Sequence, residues 1–221
     1  CTMYDSKNQL VYGNINKEGL VFLNKDNIFT QYFSEFANTP YNDLFQSSEE
    51  IKQIIERQQD AEQSPKWKSI KKFAFECDGD LTDTLKSAFN RLDIPYDEKY
   101  IKYLVKASDE LGGLVMQLKA HYQRPRPYQV AYYTEQPLHP YETISGNTPS
   151  YPSGHAMQGK FLTKLISHHY PEKKIELTRL SEMISDSRIV LGLHFQSDND
   201  FGEKIATRLL NKEDIKAKYL L

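Results

Sequence analysis

The chain has 221 residues, 39% of them hydrophobic and 26% charged, with a formal net charge of −2. That length suits a single domain with a substantial core, and the near-neutral charge excludes the basic surplus of a nucleic-acid binder. No run approaches the eighteen or more apolar residues that a membrane-spanning helix needs.

Residues 1–45 are rich in Asn, Tyr and Phe and carry little periodicity, so they read as a poorly defined N-terminal segment. Two cysteines are too few for a disulfide framework. Cys77 follows the apolar run Phe73-Ala74-Phe75 and reads as a buried free thiol, with a bond to Cys1 left open. Cys1 stands where no initiator Met or signal peptide is visible; it reads either as a lipid-modified residue left by signal cleavage or as an arbitrary chain boundary.

Gln46–Gln59 is predicted as a helix, because Ser47 and Glu50 have capping-box spacing and Ile51, Ile54 and Ile55 share a face. A second helix follows Pro65 through Trp67, Ile70, Phe73 and Ala74, and a third runs through Leu81, Leu85, Ala88, Phe89 and Leu92. Asp97 is positioned to cap a long helix whose apolar face runs Ile101, Leu104, Val105, Ser108, Leu111, Val115, Leu118. Gly112-Gly113 either breaks that helix or marks a close approach of another one. Residues 125–152 hold six of the ten prolines and read as a long loop. Helical patterns resume after His155, from Glu172 to about Ile189, and from Asp198 to Leu210. β-alternation is scarce, so the expected fold is an all-α, single-domain helical bundle.

Three stretches concentrate the chemistry. Lys119 and Arg126 are seven residues apart, at a helix end and in a proline-stiffened segment, and Arg188 adds a third cation. A phosphoryl group in transit needs fixed cations and donors of this kind, and the planar fork of Arg can take two oxygens at once. Pro152-Ser153-Gly154-His155 precedes an apolar-periodic helix. Gly154 admits an anion to free amides at the helix start, Ser153 offers a hydroxyl donor or an N-cap, and His155 puts a titratable group beside the anion. His194 and Asp198 have three residues between them, a spacing at which a carboxylate can orient an imidazole as nucleophile. His168 and His169 suit a helix C-terminus, His121 and His139 have no motif partner, and no cysteine has metal-ligand spacing.

These residues resemble the type 2 phosphatidic acid phosphatase and vanadium haloperoxidase superfamily, whose signature is K-x6-RP, PSGH and SR-x5-H-x3-D. Lys119, Arg126 and Pro127 fill the first part, Pro152–His155 the second, and Ser187, Arg188, His194 and Asp198 the third, a span of residues 119–198. The fuller strings KAHYQRPRPY, SYPSGHA and LGLHFQSDNDFG resemble the bacterial class A nonspecific acid phosphatases. The resemblance implies a phosphomonoesterase in which His194 attacks phosphorus, Asp198 holds it, and His155 protonates the leaving alcohol and then activates water. Lys119, Arg126, Arg188 and the Ser153 and Gly154 amides would cradle the oxygens. It implies no metal or other cofactor, with vanadate as an inhibitor. Small phosphate monoesters are the expected partners, nucleotides among the candidates, in an exported protein for which a homo-oligomer is open. A vanadium-dependent haloperoxidase is the alternative, since it uses the same residues to hold vanadate. Tyr128, Tyr132, Tyr133, Tyr141 and Tyr151 flank the expected pocket and are read either as stacking on leaving groups or as packing onto the domain.

Overall fold

The computed structural model describes residues 2–4, 10–13 and 25–220. Cys1, on which the lipidation expectation rests, lies outside the described residues. Strands β1 (Thr2–Tyr4) and β2 (Leu10–Tyr12) pair antiparallel, with Met3 opposite Val11. Three residues each are too few to show alternation in the sequence, which is why this ladder was not expected. The rest of the described architecture is helical: α1 (Phe33–Phe36), α2 (Leu44–Gln63), α3 (Trp67–Glu76), α4 (Thr82–Arg91) and α5 (Glu98–Tyr122). Then come α6 (Pro127–Tyr133), α7 (Gly154–His169), α8 (Lys174–Val190), α9 (Gln196–Leu209) and α10 (Glu213–Tyr219). No helix among the described residues is long and apolar enough to cross a membrane.

Helix α7 is the centre of the bundle, packing against α5, α8 and α9. Phe161 and Leu165 of α7 lie fully buried with Leu104, Leu111 and Leu118 of α5, Ile184 of α8 and Ile205 of α9. Two glycines make this closeness possible. A Cβ on Gly202 would stand 2.7 Å from the Ser153 carbonyl oxygen, and one on Gly159 would stand 3.0 Å from Ile184 Cγ2. The long helix α5 is unbroken through Gly112-Gly113, so the glycines do not break it; a Cβ on Gly112 would meet the Gln158 side chain at 3.5 Å, an ordinary contact. Its cap is Asp97, whose Oδ1 accepts the Tyr100 amide at 2.7 Å.

Two sequence expectations need correction. The cap of α2 is Asp43 with Gln46, not Ser47 with Glu50; Asp43 Oδ1 accepts the Gln46 amide at 2.8 Å and Gln46 Oε1 accepts the Asp43 amide at 3.1 Å. Ser47 and Glu50 instead face inward from the helix, where they bind Arg124. The expected 125–152 loop contains α6, because Pro127 sits at the first helical position, where a missing N–H costs nothing. Cys77 is a free, buried thiol, and burial pushes its pKa up. It packs beside Thr84 as an inert core residue.

Candidate active site

The third motif owes its spacing to the end of α8. Gly192, at φ +72°, lets the chain turn so that the Gly192 amide bonds the Ile189 carbonyl at 2.9 Å and the Leu193 amide bonds the Arg188 carbonyl at 3.0 Å. This pair of bonds is a Schellman closure, which needs a left-handed residue at that position. Arg188 and His194 are thereby fixed on either side of one turn. Helix α9 then starts with Phe195 as its cap, and Asp198, at the third helical position, accepts the Phe195 amide through Oδ2 at 2.9 Å. The same oxygen lies 3.1 Å from His194 Nδ1. The H-x3-D spacing is therefore the reach of a first-turn carboxylate back past its own cap.

His194 is 3% exposed, and its other nitrogen, Nε2, lies 2.8 Å from Arg126 Nη1. Arginine has only donors, so Nε2 accepts and the proton sits on Nδ1, facing Asp198. Asp198 itself is fully buried. Its Oδ1 accepts from Arg124 Nη1 at 2.7 Å, and its Oδ2 also accepts from the Ser150 hydroxyl at 2.5 Å.

Arg126 is the cap of α6, its amide bonded to Gln129 Oε1 at 2.8 Å. Its guanidinium donates to the carbonyls of Thr148, Leu193 and Ser145 as well as to His194. Lys119, in the last turn of α5, donates to the Pro149 carbonyl at 2.5 Å. Burial first and the charge of Arg126 second hold its pKa well below the ordinary lysine value, with Asp198 opposing. Ser153 caps α7 by accepting the Ala156 amide at 3.3 Å, while its own amide donates to the Asp198 carbonyl at 3.0 Å. That amide is therefore committed to the protein, as is the Ala156 amide, which leaves those of Gly154 and His155 to be presented at the helix start.

Lys119, Arg126, Gly154, His155 and His194 line one cavity of about 290 Å³ together with Ser145 and Thr148. Asp198, Ser153 and Arg188 stand behind that lining rather than in it. Arg188 is fully buried and donates to Asp78 Oδ1 at 3.3 Å, to the Ala74 carbonyl and to the Ser187 hydroxyl. Burial opposes ionisation of Asp78, but the Ser145 hydroxyl, the Ile144 amide and Arg188 outweigh it and hold the carboxyl below its usual range. None of the five tyrosines named from the sequence lines this cavity. Tyr151 stacks on Phe201 and Tyr141 bonds Glu62, so these two pack onto the domain. A larger hollow, about 800 Å³, lies among Leu10, Pro40, Tyr122 and Pro125, but it contains none of the motif residues.

The cations act on the histidines. Burial first, then the charge of Arg188, pushes His155 down to about 3, while its Nε2 donates to the Gly79 carbonyl at 2.9 Å. Burial first, then Arg126, Lys119 and Arg188, lowers His194 well below its ordinary value. A neutral His155 differs from the titratable group beside the anion that the sequence suggested; the reason is burial first and the charge of Arg188 second. The linkage has a definite sign. The unfolded chain binds protons at these histidines near pH 6.5 and the folded chain does not, so stability falls as the pH drops from about 6.5 toward 3. An oxyanion in the cavity favours protonation of both rings. Inorganic phosphate should therefore raise the urea midpoint more at pH 4.5 than at pH 7.5, and an equal rise at both would contradict the charge assignment.

Four residues at the site were not singled out from the sequence: Arg124, Ser150, Asp78 and Glu50 in an active-site role. The only local signal was Arg124 in the Arg-Pro-Arg-Pro string beside Arg126.

Residues 105–210 match the PAP2 superfamily. A non-specific acid phosphatase of Salmonella typhimurium is 28% identical over 144 residues, covering 64% of this chain and 57% of that protein. A non-specific acid phosphatase of Salmonella typhi is 27% identical over 154 residues with the same coverage. The match thus spans 57% of the length of these curated relatives. Lys119, Arg126, Ser153, Gly154, His155, Arg188, His194 and Asp198 all fall within residues 105–210, the segment that matches the PAP2 superfamily.

Proposed function

We propose that the chain is a phosphomonoesterase that works through a phosphohistidine at His194. The observation that carries this reading is the pairing of His194: Nδ1–H is given to Asp198, and the Nε2 lone pair meets Arg126 in the cavity lining. An imidazole so oriented is a nucleophile surrounded by the cations that a phosphoryl group needs. The similarity to non-specific acid phosphatases supports the same class.

In the first step Nε2 bonds to phosphorus as the ester P–O bond breaks, and the departing oxygen takes a proton from His155. In the second, water attacks phosphorus, His155 takes its proton, the P–N bond breaks and inorganic phosphate leaves. The phosphate dianion itself supplies the negative charge that lets His155 hold a proton in the complex. Lys119 and Arg126 provide the charge stabilisation, so the reaction is proposed to need no metal. Phosphate release from p-nitrophenyl phosphate tests the function; activity should survive EDTA and be inhibited by vanadate.

The role of His155 has a separate test. His155→Ala should lower kcat about 10²-fold more for an alkyl phosphate than for p-nitrophenyl phosphate, because only the poor leaving group needs the proton. Equal losses on the two esters would show that His155 is not the acid.

A further inference from the structure

We propose that Arg124, itself held by Glu50, is the positioning residue for the Asp198–His194 pair; the inference deepens the phosphatase reading and rests on it. Arg124 is fully buried in the connection between α5 and α6. Its Nη1 donates to Asp198 Oδ1 and to Ser197 Oγ, both at 2.7 Å, and its Nη2 to Ser47 Oγ at 2.9 Å and Glu50 Oε2 at 3.1 Å. The guanidinium lies 3.9 Å from the centre of the Phe195 ring, which fixes its plane.

Arg124 reaches the other carboxylate oxygen as well. Its backbone carbonyl accepts the Ser150 amide at 2.9 Å, and the Ser150 hydroxyl donates to Asp198 Oδ2. One residue therefore sets Oδ1 directly and Oδ2 through Ser150, so the carboxylate cannot rotate and Oδ2 is held toward His194 Nδ1. Two residues further on, Arg126 donates to the opposite nitrogen of the same imidazole. The Arg-Pro-Arg-Pro string grips the pair at both ends.

Glu50 completes the arrangement. Its Oε1 accepts the Ser197 amide and its Oε2 the Ser197 hydroxyl, each at 2.8 Å, so α2 is tied to the first turn of α9. It also changes the charge balance. One guanidinium faces two carboxylates, leaving the cluster with a surplus negative charge. That surplus is available to the imidazole as Nε2 bonds to phosphorus and the ring becomes cationic. A simple Arg124–Asp198 pair would be neutral and would offer less. Neither Arg124 nor Glu50 is among the residues lining the cavity, so both act through Asp198 and not on the substrate.

The experiment compares kcat and KM on p-nitrophenyl phosphate for the parent, Arg124→Ala, Arg124→Lys and Glu50→Gln, alongside 15N spectra of the His194 ring. Arg124→Ala should lose about 100-fold in kcat with KM within about twofold, because the orienter is misplaced and the cradle is intact. Added guanidinium should restore part of that loss, and the spectrum should show a mixture of tautomers in place of Nδ1–H alone. Glu50→Gln and Arg124→Lys should each cost about tenfold in kcat at unchanged KM. Should Arg124→Ala fail to fold, these two carry the test. Parental kcat in both, or a loss that appears in KM with the His194 tautomer unchanged, overturns the proposal. A parent that releases no phosphate from any ester refutes the phosphatase reading instead, while the tautomer spectra still decide the positioning claim.

Discussion

His194→Ala should reduce phosphate release by about 10⁴-fold or more, because it removes the imidazole proposed to form the covalent intermediate. The loss should be in kcat. Lys119 and Arg126 keep their other partners, the Pro149 carbonyl for one and the Thr148, Leu193 and Ser145 carbonyls for the other. Arg126 Nη1 also gains a free N–H where it had bonded Nε2. Inorganic phosphate should therefore bind the variant at least as tightly as it binds the parent. Parent quenched in alkaline denaturant should carry acid-labile, base-stable phosphate on protein, and the variant should carry none. Substantial turnover by the variant would move the nucleophile elsewhere.

Asp198→Asn should be nearly as damaging to catalysis and worse for stability. Every neighbour of this carboxylate is a donor: Arg124 to Oδ1, and Ser150, the Phe195 amide and His194 to Oδ2. An amide must turn its NH₂ toward one side or the other. Facing His194, it forces Nδ1 to accept and moves the ring proton to Nε2, which removes the nucleophilic lone pair; the equivalent change elsewhere costs about 10⁴ in kcat. Facing Arg124, it leaves a fully buried guanidinium with Glu50 as its one acidic partner. Breaking a buried ion pair from one side typically costs about 3–5 kcal/mol. The variant should show both a kcat loss near that size and a lower urea midpoint. Retention of parental stability would mean that the Arg124–Asp198 bond contributes little.

What could be read from the sequence was the part built from short-range contacts. His194 and Asp198 meet across four positions, the Arg188–Leu193 closure across five, and the caps at Asp97 and Ser153 across three. Their spacing is their geometry. The supporting groups are of another kind: Arg124 and Asp198 are 74 residues apart, Arg188 and Asp78 110, and Ser197 and Glu50 147. No local pattern reports such pairs. Ser47 and Glu50 illustrate the ambiguity, since the spacing of a capping box is also the spacing of two residues on one helix face. The prolines around residue 127 hid a helix for a related reason, because a proline at a helix start and a proline in a loop look alike.

The bond between Arg126 and His194 Nε2 has a consequence for the site at rest. The reactive lone pair is stoppered by the residue that the proposed mechanism assigns to phosphate. A reagent without an oxyanion meets an imidazole already engaged. In that mechanism a phosphate ester would draw the guanidinium to its own oxygens and uncover His194 Nε2 as it docks. Recognition and arming then become one event, and part of the intrinsic affinity for the ester is consumed in opening the latch.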